Sequence, residues 1–176
     1  MLALAILGFL FEEPLHGYEL KERIRRLTGH VKPVSDGALY PAIARLERDG
    51  LLERRTEPGA AAAPKQVLSL TAKGRAELMR RLREPTEVEI TDRNRYFTVL
   101  AFLRHLDDPA GQADVLRRRL AFLSEPASFF SSGGELVRSK DVADPFRQGM
   151  FTIAKATGRA EKEWLEKTLA VLDPPR

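Results

Sequence analysis

The stretch Ser35 to Leu52, SDGALYPAIARLERDGLL, constrains the fold more than any other part of the chain. Leu39, Ile43, Leu46 and Gly50 recur at helical spacing and predict one buried face, while Asp36, Ala42, Arg45 and Asp49 turn to another. A helix of this kind packs on one side and offers the other to a partner. Ser35 is expected to cap it, its hydroxyl accepting from an N–H one turn ahead, and Gly50 to stop it. Gly37 costs about 1 kcal/mol relative to Ala in a helix interior, and Pro41 removes a hydrogen bond unless it lies in the first turn. The helix therefore begins near Ala38 or bends at Pro41. Either way, a start with no bulky side chain at Gly37 or Ala38 can approach another surface closely. A nucleic-acid backbone suits such a start, because free N–H groups and the positive dipole end favour phosphate. The alternative is that Gly37 and Pro41 only shape a turn.

Around this helix the chain must supply a core, and 176 residues are enough for one large or two small domains. The absence of cysteine excludes disulfides and thiolate metal sites. His16, His30 and His105 lie far apart, without a His-x3-His or His-Glu-x-x-His spacing, so neither a metal nor a cofactor is expected. Residues 1 to 84 carry 15 Lys/Arg against 11 Asp/Glu and residues 85 to 176 carry 14 against 14, which together give the net charge of +4. The basic excess confined to the first half fits a nucleic-acid footprint and also an ordinary solvated surface. The opening MLALAILGFLF has no basic n-region or cleavage site and is too short to span a bilayer. It reads as a core helix of a cytoplasmic protein with no membrane partner.

In chain order, a helix from Leu2 to Phe11 is apolar nearly all round. A second helix runs from His16 to Leu27, with Tyr18, Leu20, Ile24 and Leu27 as its inward stripe and Thr28-Gly29 as its close. Two helices joined by a short turn, the second with a lightly decorated face, make a helix-turn-helix. Leu51 to Thr56 and Gln66 to Leu70 then read as two strands of a wing, separated by the turn-rich segment Glu57 to Lys65. Thr71 caps a helix from Ala72 to Arg83, and Pro85 closes the first domain. The fold class is mainly α: a winged helix-turn-helix domain over residues 1–84 with a short two-stranded wing, then a helical dimerisation domain over residues 85–176.

The second half reads as helical. Thr91 or Asp92 starts one helix, Asp108-Pro109 a second, and Asp144-Pro145 a long last one, with a loop-rich stretch from Glu125 to Asp144. Along the last helix Phe146, Met150, Ile153, Thr157, Ala160, Trp164 and Val171 keep near-heptad spacing, and Phe151, Ala154, Leu165, Leu169 and Leu172 form a second stripe beside it. Two stripes need two partners: the chain's own helices and, most simply, a second copy. The expected dimer seam is Phe146, Met150, Ile153, Ala160, Trp164 and Leu165; a single intramolecular three-helix packing is the alternative.

LHGYEL at Leu15 to Leu20, GALYPAIARLERDGLL at Gly37 to Leu52 and LTAKG at Leu70 to Gly74 resemble, in order and spacing, the motifs of the PadR-like transcriptional regulators. The resemblance covers residues 1–84. It implies a winged helix-turn-helix that represses, or less often activates, transcription, commonly in response to a small molecule. Ser35, Gly37, Tyr40, Pro41 and Arg45 stand at the motif positions of the recognition helix. Tyr40 looks like a phosphate-contacting phenol, or else a packing residue, and Arg45 like a backbone or base contact. With Lys32, Ala38 and Lys65 these residues form the expected DNA-binding set. The family wing commonly has the form RxRKYYxLT, and here it reads AAAAPKQVLSLT, with Lys65 its one basic residue and Val67 and Leu68 in place of the tyrosines. The chain also begins at the first core helix, without the basic arm of many relatives. Both departures predict weaker nonspecific attraction to DNA.

The implied partners are double-stranded DNA carrying an inverted-repeat operator, a second copy of the chain and a small-molecule effector. Phe97, Phe102, Phe122, Phe129, Phe130 and Trp164 are the aromatics available to line an effector pocket, or to fill the core. No Gly-rich phosphate loop, Gly-x-Ser-x-Gly or carboxylate pair points to catalysis, so no enzyme is expected. The rival reading is a winged-helix protein-interaction module that has lost DNA binding, which an alanine-rich wing would permit.

Overall fold

A computed structural model of the protein describes residues 1–27, 34–57, 65–132 and 134–173. Its first element, α1 (Leu2–Glu12), is enclosed by other elements, as its uniformly apolar sequence requires: Leu4, Ala5, Ile6, Leu7 and Leu10 are all buried. Next come a two-residue strand β1 (Leu15–His16) and α2 (Gly17–Leu27). His16 therefore belongs to a strand and not to the second helix, because its backbone pairs with Val67 and its ring Nδ1 lies 3.0 Å from the Gln66 carbonyl oxygen. Thr28, Gly29 and the connection as far as Pro33 lie outside the described residues.

The helix expected to carry recognition is α3 (Asp36–Arg48), followed by β2 (Leu52–Glu57), β3 (Lys65–Leu70) and α4 (Ala72–Arg83). β3 is the centre of a three-stranded antiparallel sheet ordered β1-β3-β2, so the two wing strands gain a short third strand from the start of the chain. Val67 and Leu68, which replace the family's tyrosines, are both buried. Thr71 caps α4 as expected, its Oγ1 accepting from Gly74 N at 3.0 Å. The glycine of LTAKG is fixed by packing: a Cβ at Gly74 would stand 2.0 Å from the Leu51 carbonyl oxygen.

Two helices follow, α5 (Glu87–Thr91) and α6 (Arg93–Phe102), and then a 3-10 turn at Leu103–His105. α5 was not expected, although Thr86 and Glu89 form a complete capping box at its start. Both helices belong to the first of two compact units, Met1–Asp107 and Asp108–Arg176. The reason is local: Ile90, Tyr96, Val99 and Phe102 are buried, and Phe102 packs so closely on α1 that a Cβ at Gly8 would meet its ring at 2.5 Å.

The second unit contains α7 (Pro109–Ser124), a hairpin of β4 (Ser131–Ser132) and β5 (Glu135–Leu136), a 3-10 turn at Ser139–Asp141 and the 28-residue α8 (Pro145–Leu172). Asp108 and Asp144 cap α7 and α8, accepting from Gly111 N at 3.0 Å and Arg147 N at 2.7 Å, with proline at the first helical position of each. α7 and α8 are joined by an ion pair between the buried Arg119 and Glu161 at 2.7 Å. A cluster of Phe129, Phe130 and Phe151, with ring centroids 5.4 to 6.4 Å apart, ties the hairpin segment to α8.

Candidate nucleic-acid interface

α3 is one continuous helix from Asp36, two residues before Ala38, and Pro41 lies inside it. Pro41 has no N–H, and the Gly37 carbonyl one turn earlier therefore lacks its helical donor. Ser35 occupies the N-cap position, but its side chain makes no capping bond. The C-terminus closes more firmly than the sequence alone shows. Gly50 N donates to the Glu47 carbonyl and Leu51 N to the Leu46 carbonyl, each at 2.9 Å. That is a Schellman turn, and its left-handed residue is Gly50 at φ 72°. Gly50 is exposed and so is not part of the packed stripe.

Leu39, Ile43 and Leu46 form the buried face, so the opposite face is the one available to a partner. Three polar ties hold α3 in place. Lys21 of α2 donates to Asp36 at 2.7 Å, Arg54 of β2 grips Glu47 through two bonds of 2.8 Å, and Lys73 of α4 donates to the Asp49 carbonyl at 2.7 Å. The hydrogen bond that Lys21 donates to Asp36 raises the pKa of Lys21, and those that Arg54 donates to Glu47 raise that of Arg54. These cations are committed to scaffolding.

Ser35, Gly37, Ala38, Pro41 and Arg45 are exposed, as is Tyr40 at 49 %, so the structure gathers these expected contacts on one surface. A Cβ at Gly37 would meet only Ser35 Oγ, at 3.9 Å, which leaves room for a close approach. Lys32 lies outside the described residues, and so does the side chain of Lys65, whose backbone opens β3 opposite Glu57. Sequence reasoning missed Arg48, which is exposed one turn beyond Arg45. Neither arginine has a carboxylate partner among the described residues. The spacing i, i+3 was the available signal. Reasoning also misplaced Tyr18. It is 71 % exposed, because it lies two residues from the buried Leu20 and so about 200° round the helix from it.

In the second unit Phe146 (84 % exposed), Met150, Ile153, Ala160 and Trp164 are exposed along α8, and Phe151 and Leu165 are its buried residues. Leu165 does not belong to an intermolecular seam, since the protomer's own packing covers it completely. A cavity of about 650 Å³ opens between the end of α7, the segment Glu125–Phe129 and one face of α8. Of the six aromatics proposed to line a pocket, Phe129 alone is in its wall, beside Phe151, Ala154 and Gly158. Phe102 is core, and Phe97 carries Arg93 over its ring at 5.3 Å. Among the described residues no group of three or more metal-ligating side chains is assembled, and no helix is long and apolar enough to cross a membrane.

Residues 6–80 match the model of the transcriptional regulator PadR-like family. Over 178 aligned positions the chain is 24 % identical to the negative transcriptional regulator PadR of Bacillus subtilis (strain 168), covering 98 % of each protein. Two solved structures of Bacillus subtilis PadR are also similar. The one in complex with operator DNA shows 23 % identity and a TM-score of 0.44, over 98 % of this chain and 99 % of that one. The one in complex with p-coumaric acid shows 24 % identity and a TM-score of 0.44, over 98 % of each chain.

Proposed function

We propose that this chain, whose residues 6–80 belong to the PadR-like family of transcriptional regulators, is a dimeric repressor that binds an inverted-repeat operator and answers to a small molecule. The observation that carries the reading is the division of α3 into a face of Leu39, Ile43 and Leu46 and an opposite face offering Tyr40, Arg45 and Arg48. Guanidinium groups fit phosphate oxygens and guanine edges, and the phenol fits a phosphate. The basic excess of the first half is small, so a single module would bind at roughly micromolar strength or weaker at physiological salt. A second copy, seated on the apolar stripe of α8, makes the second contact intramolecular and raises affinity about a hundredfold or more. Two recognition helices meeting successive major grooves call for half-sites about one helical turn apart. The cavity beside Phe129 and Phe151 has a volume suited to a small effector.

A mobility-shift titration of the full chain against the duplex upstream of its gene tests this reading. Binding that weakens in the Arg45→Ala protein is the expected result. A folded protein with no affinity for any duplex would instead favour the interaction-module reading.

A further inference from the structure

α8 carries a glycine that the protomer's own packing does not ask for. Gly158 stands in the middle of the helix, where glycine weakens the backbone relative to alanine, yet a Cβ there would meet nothing within 4 Å. It lies in the wall of the cavity between α8 and the segment that follows α7, so the missing side chain enlarges that cavity. The floor around it is apolar, with Leu123, Phe129, Phe151 and Ala154. A volume of about 650 Å³ falls within the roughly 300 to 1,000 Å³ of sites for drug-sized ligands, and has room for more than a single ring.

The charges of the rim decide what such a ligand carries. Lys155, Arg159 and Lys162 stand against Glu125, Glu163 and Glu166, so the count is even and position has to settle the sign. At about 100° per residue, Lys162 lies about 40° and Lys155 about 60° round α8 from Gly158, against about 80° for Glu166 and about 140° for Glu163. The two ammonium groups therefore flank the glycine, one turn to either side. Arg159 and the three carboxylates are exposed, whereas Lys162 is half-buried and has no acceptor among the described residues. Lys155 donates to the Ser139 hydroxyl at 2.6 Å, a neutral partner that leaves its charge uncompensated. A partly desolvated ammonium at the edge of an apolar floor favours an anion.

We infer that this cavity binds an organic monoanion whose apolar body is larger than one ring, lying over Gly158 with its anionic group on Lys162 and Lys155. The inference deepens the effector reading above and rests on it for the step from binding to regulation. Each protomer holds the site by itself. Ile153, Ala160 and Trp164 of the exposed stripe stand about 120° to 160° round α8 from Gly158, so a second copy seated on that stripe leaves the cavity open.

The test uses the full chain without DNA and two fluorescent probes that differ by one group: anilinonaphthalene sulfonate, a monoanion, and phenylnaphthylamine, the same body without the sulfonate. Wild-type protein should take up one sulfonate probe per protomer. Lys162→Gln should weaken that probe about 10-fold and leave the neutral one unchanged. Gly158→Leu should abolish binding of both, with a melting midpoint at or above that of the wild type, because leucine enters open space and is the better helix former. Ala154→Leu, in the same wall, is a second such filling. Phe146→Asp with Ile153→Asp should leave both probes bound. No uptake by the wild type overturns the inference, as does a Lys162→Gln protein that loses both probes alike or neither. Continued binding by folded Gly158→Leu and Ala154→Leu proteins overturns it too, and so does loss of the probe in the Phe146→Asp, Ile153→Asp protein, which would place it on the stripe. Uptake that leaves operator affinity unchanged contradicts the effector reading alone, with the site intact.

Discussion

α3 and α8 both present an exposed face, and the two faces are chemical opposites. α3 spends its apolar residues on the core and shows solvent a phenol and two guanidinium groups at Tyr40, Arg45 and Arg48. α8 has 28 residues and buries only Phe151 and Leu165, leaving Phe146, Met150, Ile153, Trp164 and Val171 in solvent. Exposure alone names no partner for either helix. The chemistry of what is exposed suits different partners: phosphate and base edges for the first, hydrocarbon for the second.

The sharpest way to separate the two regions is to damage the support of one. Gly74→Ala drives a methyl into the Leu51 carbonyl, at the joint that carries the end of α3. It should destabilise the first unit by about 3 kcal/mol and leave the dimer intact, read as a lowered melting midpoint with unchanged sedimentation. Next in size is the seam. Phe146→Asp with Ile153→Asp alters side chains that the protomer leaves exposed, so each chain should stay folded while operator affinity falls about a hundredfold and the protein sediments as a monomer. Leu165→Asp should instead unfold the second unit, because it buries a charge within the protomer. Equal behaviour of the two changes would erase the distinction between the faces of α8.

Arg45→Ala should weaken operator binding by about 1 to 3 kcal/mol with folding unchanged, and Lys65→Ala should cost less while lowering the salt slope by about 1. The reverse ranking would move the principal contacts from α3 to the wing. The smallest effect concerns Glu77 of α4. The hydrogen bond from the Arg80 guanidinium, seconded by Arg81, outweighs desolvation and holds its carboxyl at about 2 against a usual 4.5. The folded state resists protonation and the unfolded state does not, so this stabilisation is complete above pH 4.5 and is lost as pH falls toward 2. Solvent screening limits it to about 1 kcal/mol, and an acid titration of the melting midpoint should flatten over that window in Glu77→Gln.

The helix starts were legible where a short polar side chain could reach an N–H. Thr71, Asp92, Asp108 and Asp144 all cap as their sequence context predicts. Ser35 has the same context and makes no such bond, so a cap residue fixes where a helix begins more surely than how it is held. β1 escaped notice because two residues carry no periodicity, and their pairing depends on β3, about fifty residues away in the chain. Tyr18 was misassigned for a related reason. A stripe of four apolar residues fits a helix with several phases, and only the fixed positions of Leu20 and Ile24 against α1 show which side Tyr18 takes. On α8 both stripes were visible, but which residues the protomer covers depends on α7 and the hairpin, and that moved Leu165 to the inner side.

The most direct test of the account is the salt dependence of operator binding by the intact protein. If the exposed cations of two α3 helices meet phosphates, the logarithm of the affinity should fall linearly with the logarithm of salt concentration, with a slope of about 4 to 6 in magnitude for the dimer. An affinity that does not change with salt would contradict it.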